Sequence, residues 1–309
     1  MRTNHRLDKV FRNAFPVPFD DKSRYVFFSD VHRGDDSVSD EFGRNRHIYD
    51  HALDYYFNNR FTYVEVGDGD ELWENAHYHH IPLAHASTFE RLRKFYNAGR
   101  MYMLFGNHNI QLKNEHYVKR HLYSTYDDFQ DKYRELFPGI HVHEALVMKH
   151  RQTDQEIFVV HGHQGDFTND HVWPITRFFV RYFWRVMHYI LGFRYAASPA
   201  KSRLKRHKVE KSYNKWIEKH KIMLICGHTH RAKLPQIGDL PYCNTGCCMH
   251  PRGLTCLELE GGNLSLITWR VSTQEDGLMY IRRKVVQGPV PISAFHSDQE
   301  DREGLSEEL

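Results

Sequence analysis

The run YVFFSDVH, from Tyr25 to His32, decides the fold of this chain. It opens with four apolar residues and ends with Asp30 and His32, two residue types that bind metal ions. A buried strand that carries such residues in the loop at its carboxyl end is the usual way for an α/β fold to present chemistry at one edge of its sheet. Four later stretches repeat this pattern after apolar runs: GDGDE at 67–71, GNHN at 106–109, HGH at 161–163 and GHTH at 227–230.

Strand-like and helix-like segments alternate around these loops. Predicted strands lie at 61–66, 101–105, 141–149, 156–160, 222–226, 254–260, 264–269 and 279–286. Predicted helices lie at 44–59, 84–98 and 126–136, while 15–19 is a leader punctuated by proline. This alternation predicts an α/β (α+β) fold.

A long helical insertion interrupts the alternation between the HGH and GHTH loops. We expect one domain over residues 1–292, with residues 167–220 inserted in it as a helical cap. The most apolar part of the insertion, 175–191, contains Arg177, Arg181 and Arg185, which argues against a membrane span. Residues 293–309 are predicted to be a disordered acidic tail, because the last thirteen hold six acidic side chains and one arginine.

The bulk composition indicates a globular intracellular protein. The chain has 309 residues, of which 40% are hydrophobic, and its net charge of +3 does not by itself favour nucleic acid as a partner. Five cysteines without a regular spacing indicate reduced thiols. The basic N-terminal segment has no apolar core after it and so does not read as a secretory signal, and we expect a cytoplasmic location.

Seven residues at the ends of apolar runs form a candidate metal site. They are Asp30, His32, Asp68, Asn107, His161, His228 and His230. Parallel strands would bring them to one edge of a sheet. Their mixture of carboxylate, amide oxygen and imidazole suits Mn most readily, with Fe and Zn as alternatives, and is too rich in nitrogen for Ca or Mg. Seven ligands exceed the needs of one ion, so two divalent ions that share a carboxylate are the simplest solution.

The ordered motifs DxH, GDxx(D/E), GNH, a lone His and GHxH resemble those of the calcineurin-like metallophosphoesterase superfamily, over residues 25–231. The resemblance implies two packed mixed β-sheets flanked by helices, a four-layer sandwich. It also implies hydrolysis of a phosphate ester or pyrophosphate by a hydroxide that the metals activate. By the same resemblance Asp30, His32, Asp68 and His230 hold one ion. Asp68, Asn107, His161 and His228 hold the other, with Asp68 shared.

The resemblance gives His108 a catalytic role beside the metals. The family usually has an acid after GNH, whereas this chain has Asn109, so His108 is either less basic or oriented by another group. Within GDGDE, position favours Glu71 over Asp70 as the supporting acid. His161 is preferred to His163 as the ligand because it directly follows the strand, and Asp166 is a candidate for orienting one of the two.

The insertion is the part of the chain that bears on substrate choice. Arg177, Arg181 and Arg185 are spaced four apart and would form one basic stripe on a helix. This stripe is either an ordinary solvated face or part of a cap that binds additional phosphates, a lipid tail or the surface of an anionic membrane. In place and composition the insertion is similar to the cap of the UDP-2,3-diacylglucosamine pyrophosphatases. A nucleotide-sugar or lipid-linked pyrophosphate is therefore the favoured substrate.

Three other functions remain open from the sequence. One is a phosphatase that acts on proteins or small metabolites. Another is a phosphodiesterase or nuclease, for which the nine Lys and Arg residues against two Glu in 201–221 argue, although no aromatic stacking platform accompanies them. The last is a metal-free binding scaffold, which all seven retained ligand positions disfavour. The oligomeric state stays open.

Overall fold

The computed structural model describes residues 2–127, 130–165 and 203–296 of the chain. Its helices are α1 Arg2–Arg12, α2 Arg46–Asn58, α3 His80–Ala84, α4 Ala86–Asn97, α5 Glu115–Leu122 and α6 Arg203–His220. Its strands are β1 Phe15–Phe19, β2 Arg24–Phe28, β3 Thr62–Val66, β4 Met101–Leu104, β5 Ser124–Asp127, β6 Lys132–Glu135, β7 Val142–His143, β8 Ala145–His150, β9 Glu156–Val160, β10 Met223–Cys226, β11 Tyr242–Asn244, β12 Leu254–Glu260, β13 Asn263–Thr273 and β14 Met279–Pro291.

Two mixed sheets pack face to face with helices on both outer sides, which confirms the predicted four-layer sandwich. Three apolar clusters fill the three interfaces between these layers. The first joins α2 and α4 to the seven-stranded sheet, and Tyr49 and Phe28 are both fully buried in it. The second lies between the sheets, and the third joins α1 and α6 to the five-stranded sheet around Trp216. Burial of these apolar faces is the main contribution to the stability of the sandwich.

The seven-stranded sheet has the order β14-β13-β12-β2-β3-β4-β7. Strands β2, β3, β4 and β7 run parallel, while β12 pairs with β2 in the antiparallel sense. Because β2, β3 and β4 are parallel neighbours, their carboxyl ends lie at one edge of the sheet. The first three metal-type loops of the sequence follow these strands and therefore meet there.

The five-stranded sheet has the order β1-β8-β9-β10-β11 and brings the other two loops to the same edge. Strands β9 and β10 are parallel neighbours and carry HGH and GHTH at their carboxyl ends. The segment 15–19 was predicted as a leader and is in fact the edge strand β1, parallel to β8. Its two prolines are tolerated because an edge strand needs hydrogen bonds on one side alone.

Three predicted elements differ from the structure. The helix predicted at 126–136 is wrong, because β5 and β6 form an antiparallel pair in which Tyr126 faces Tyr133 with ring centroids 5.3 Å apart. Cross-strand aromatic pairs of this kind favour a hairpin over a helix. The strand predicted at 141–149 is two strands in different sheets, β7 and β8, so the chain crosses between layers at Glu144. The helix predicted at 84–98 divides at His85, whose Nε2 lies 2.7 Å from Asp40 Oδ2.

The domain boundaries stay predictions. The insertion is described from α6 onward, and the rest of it, 167–202, lies outside the described residues. Ile292–Phe295, at the start of the predicted tail, form a short 3₁₀ turn, and 297–309 lie outside the described residues. Within the described ranges, no helix combines the length and the apolar character that crossing a membrane requires.

Candidate metal centre

Hydrogen bonds join the five loops to one another where the strands bring them together. Asp30 N–H donates to the carbonyl of Gly67, and His32 N–H donates to the carbonyl of Asp68. Gly106, in the third loop, approaches the second so closely that a Cβ atom there would lie 2.1 Å from Asp68 Oδ1. A glycine is therefore required at Gly106.

Five of the seven predicted ligands have a left-handed backbone. Their φ angles lie between 50° and 63°, at Asp30, His32, Asp68, His228 and His230. This conformation is uncommon for residues other than glycine and carries a cost of about 1 kcal/mol or more for each residue. Its concentration in these loops indicates that the surrounding sheets hold the ligand side chains in a fixed orientation.

The first group of potential metal ligands consists of Asp30, His32 and His230. Each offers one ligand atom, and these atoms all lie within 4.8 Å of one another. His230 Nε2 is 3.0 Å from Asp30 Oδ1, and His32 Nε2 is 3.9 Å from the same oxygen. His32 and Asp30 are buried, whereas His230 is partly open to solvent.

The second group consists of Asp68, His161 and His228, which are all buried. His161 Nε2 lies 3.0 Å from Asp68 Oδ2, while its Nδ1 pairs with the carbonyl of Val66 at 2.9 Å and so carries the ring proton. The same Asp68 oxygen lies 4.0 Å from His32 Nε2 in the first group. Asp68 Oδ2 is therefore placed between the two groups.

Four buried ligand atoms at this centre have no hydrogen-bond partner in the described structure. They are Asp30 Oδ1, His32 Nε2, Asn107 Oδ1 and His161 Nε2. A buried polar atom without a partner is costly, and such atoms in native proteins call for a physical reason. Nitrogen and oxygen ligands of one ion at about 2.1 Å lie about 3 Å from each other, the spacing found for two pairs at this centre. The donor set therefore fits divalent metal ions.

Asp68 and His161 shift each other's pKa toward the charged form. Burial alone would raise the carboxyl pKa of Asp68, but His161 and His108 outweigh it and hold that pKa well below its usual range. Burial lowers the pKa of His161, and Asp68 more than reverses this and raises it to about 8. A proton and a metal ion then compete for His161 Nε2. Burial lowers the pKa of His163 well below its ordinary value, so that ring is neutral.

Glu71 connects the metal-type loops to His108. Its Oε2 lies 2.7 Å from His108 Nδ1 and 2.7 Å from His32 Nδ1. Asp70 lies elsewhere, with its Oδ1 2.7 Å from Arg33 Nε. Asn109 Oδ1 accepts a hydrogen bond from Gly106 N–H, and Asn109 Nδ2 has no hydrogen-bond partner among the described residues. Of the two alternatives raised by Asn109, the geometry favours orientation of His108 by another group, namely Glu71.

His163 is close to the second group without joining it. Its side chain is buried, and both ring nitrogens have no hydrogen-bond partner among the described residues. Asp166, which the sequence offered as a partner for His161 or His163, lies outside the described residues, as do Arg177, Arg181 and Arg185.

We expect His161→Ala and His163→Ala to differ in metal content. Loss of His161 removes a nitrogen beside Asp68, so the purified variant should bind about one equivalent of metal fewer than the wild type, whereas His163→Ala should bind the wild-type amount. Elemental analysis after dialysis measures this difference. Metal loss in His163→Ala with a normal content in His161→Ala would reverse the assignment.

Sequence reasoning missed a buried charge network under the ligand loops. The guanidinium of Arg33 is fully buried and forms a bidentate pair with Glu65 at 2.8 and 2.9 Å, besides its contact with Asp70. Tyr63 Oη donates to Glu65 and Tyr78 Oη donates to Asp70. One signal for this network was present in the sequence. Glu65 lies within an alternation of apolar residues, and a charged residue at an inward position of a buried strand needs a buried partner.

Comparisons with known proteins add little to this geometry. No protein-family model matches the chain, and no curated protein matches it. One solved structure that matches is described as "Putative 5'-Nucleotidase from Staphylococcus aureus in complex with alpha-ketoglutarate", with 14% sequence identity and a TM-score of 0.32. The match covers 92% of this chain and 58% of that one, so the chain spans less than two thirds of that protein's length. At this TM-score the similarity carries no argument about fold or site.

Proposed function

We propose that the chain is a dinuclear metal-dependent phosphoesterase, a hydrolase of phosphate esters or pyrophosphates. The observation that carries the proposal is the position of Asp68 Oδ2, 3.0 Å from His161 Nε2 and 4.0 Å from His32 Nε2. A carboxylate oxygen between two groups of buried ligands is the arrangement expected for a carboxylate that bridges two ions.

In this proposal the seven candidate ligands form two sets, one for each ion. Asp30, His32, Asp68 and His230 would hold one, while Asp68, Asn107, His161 and His228 would hold the other, with Mn as the first choice and Fe or Zn as alternatives. Two divalent ions would neutralise phosphate oxygens and lower the pKa of a water molecule toward neutrality. Glu71 orients His32 through its Nδ1, so that Nε2 faces the centre.

His108 supplies the proton in this proposal. Its side chain is 20% exposed, and its Nδ1 is engaged by Glu71. Nε2 is then the nitrogen that reaches a substrate, where it donates a hydrogen bond to a phosphoryl oxygen or a proton to the leaving oxygen. Asp68 Oδ1 accepts a hydrogen bond from the backbone N–H of His108 at 2.8 Å, which ties this residue to the centre.

For the substrate we propose a phosphorylated small molecule, with a nucleotide-sugar or lipid-linked pyrophosphate favoured. The support for this choice is the sequence of the insertion, whose basic stripe and apolar residues would suit two phosphates and an acyl chain. Peripheral contact with a membrane through the insertion belongs to the same proposal. A phosphatase for proteins or small metabolites and a phosphodiesterase or nuclease are the alternatives within the same chemistry.

Purified protein reconstituted with Mn, Fe or Zn tests the proposal. Turnover of p-nitrophenyl phosphate or its bis-ester should appear with about two equivalents of metal per chain and disappear after chelation. A second panel of nucleotide sugars, acylated nucleotide sugars, cyclic dinucleotides and phosphopeptides separates the candidate substrates. Well under one ion per chain after metal loading, with no turnover on any substrate, would instead support a metal-free binding scaffold.

We expect His108→Ala to lose about 10²- to 10⁴-fold in kcat while it keeps its metal, because a positioned acid contributes about that much. Steady-state kinetics and elemental analysis on the same preparation measure both quantities. His116→Ala is a suitable control, since His116 is an exposed histidine eight positions further along the chain. Wild-type kcat in metal-replete His108→Ala would remove His108 from the mechanism.

A further inference from the structure

Trp73 lies against the face of His108. The two rings are stacked, with centroids 4.0 Å apart and an interplanar angle of 17°. The indole is 3% exposed, and its Nε1–H donates to the backbone carbonyl of Asn107 at 2.7 Å. One tryptophan therefore contacts both the proposed acid and the backbone of the neighbouring ligand residue.

The segment from Glu71 to Trp73 fixes the GNHN loop at several points. Leu72 N–H donates to the carbonyl of His108, and the Glu71 carboxylate binds His108 Nδ1 with one oxygen and Trp73 N–H with the other. The imidazole is thereby fixed at its edge by the carboxylate and across its face by the indole. Rotation about its side-chain bonds would have to break the stack.

We propose that Trp73 is a positioning residue for His108. It holds the imidazole plane so that the Nε2 proton points at the leaving-group oxygen. The inference rests on the proposed phosphoesterase function and goes beyond it, because neither the ligand set nor the Glu71 contact requires an aromatic ring at this place.

Trp73 would assist the departure of the leaving group during hydrolysis. A water molecule loses one of its protons to solvent, and its oxygen forms a bond to phosphorus; His108 later regains a proton from solvent. The bond between phosphorus and the leaving oxygen breaks with both electrons on that oxygen, which takes the proton from His108 Nε2. The donation matters most when the leaving group is a poor one, because a good leaving group departs as an anion without a proton.

Leaving-group dependence in Trp73→Leu and Trp73→Phe tests this role. Leucine removes the aromatic face and keeps an apolar side chain, whereas phenylalanine keeps a ring that can stack. We expect Trp73→Leu to lose about tenfold more kcat on a phenyl phosphate ester than on the p-nitrophenyl ester, with little change in KM. Trp73→Phe should recover most of the difference. In a His108→Ala background, Trp73→Leu should leave the ratio of the two rates unchanged.

Trp216→Leu is the matched control. Trp216 also stacks on a histidine, His220, with centroids 4.5 Å apart, and its Nε1 also donates a hydrogen bond, to Asp8. It packs on the outer face of the five-stranded sheet and should leave the ratio of the two rates at the wild-type value.

The rates of the Trp73 variants on the two esters distinguish a positioning role from a structural one. Equal losses on both esters in Trp73→Leu, or the same change of ratio in the His108→Ala background, would overturn the positioning role and leave a structural one. Metal content and thermal unfolding of each variant separate misfolding from mispositioning, and Trp73→Phe keeps the test valid where Trp73→Leu fails to fold. Absence of metal-dependent turnover in the wild type would instead overturn the proposed function, and this inference with it.

Discussion

Asp68→Asn is expected to lower kcat/KM by about a thousand-fold or more, because losing the charge of the proposed bridging ligand would remove several kcal/mol of transition-state stabilisation. Asparagine tolerates the left-handed backbone that Asp68 adopts at φ 51°, so the fold should persist. Its amide oxygen can still accept the hydrogen bond that His108 N–H donates to Asp68 Oδ1. The substitution therefore removes the charge and replaces Oδ2, the oxygen between the two groups, while it keeps this hydrogen bond.

Asp154→Asn provides the control for this experiment. Asp154 also has a left-handed backbone, at φ 55°, but its side chain is exposed on the turn between β8 and β9. It should keep wild-type rates and metal content, whereas Asp68→Asn should retain fewer than two ions per chain on elemental analysis. Full turnover in a metal-replete Asp68→Asn protein would rule out the bridging role.

Arg33→Met is expected to lower the free energy of unfolding by about 3–5 kcal/mol, the usual effect of removing one partner from a buried ion pair. Glu65 and Asp70 would be left buried without their cation, since the side chains of Arg33 and both partners are fully buried. Methionine keeps much of the volume of the arginine stem, so the loss would come from charge more than from a cavity. Chemical denaturation followed by circular dichroism measures it.

Arg24→Met is the matched comparison, at the start of β2, the strand that precedes the loop of Arg33. Arg24 pairs with Glu260 at 2.7 Å, but both side chains are more than 40% exposed, and an exposed pair contributes about 1 kcal/mol or less. Combining Arg33→Met with Glu65→Gln and Asp70→Asn should restore part of the lost stability, because it neutralises the uncompensated charges. Equal stability of the Arg33→Met and Arg24→Met proteins would contradict the proposed importance of the buried network.

The sequence predicted the ligand loops well because each depends on a local pattern. An apolar run followed by Asp, Asn or His identified Asp30, Asp68 and Asn107 individually, and the topology of parallel strands predicted their shared edge. The choice of Glu71 over Asp70 also rested on position within a motif, and the contacts of Glu71 with His32 and His108 agree with it.

The sequence did not predict features that depend on tertiary contact. In the sequence, nothing distinguishes Trp73 from another apolar residue that follows a motif. Its contact with His108, with ring centroids 4.0 Å apart, appears only in the structure. The role of Arg33 depends on Glu65, which lies 32 positions away on β3. Strands β1 and β5 were not predicted because their prolines and polar residues do not give a strand pattern. They form strands because β8 and β6 supply their pairing partners.

The left-handed backbone of the five predicted ligand residues would set stability against the proposed activity. Glycine would adopt the φ angles of Asp30, His32, Asp68, His228 and His230 without the strain that a side chain adds. Selection for thermal stability alone would therefore enrich glycine at these positions while removing the proposed metal ligands. Directed evolution for a higher melting temperature would therefore lose the proposed phosphoesterase activity first, unless each round also selected for turnover.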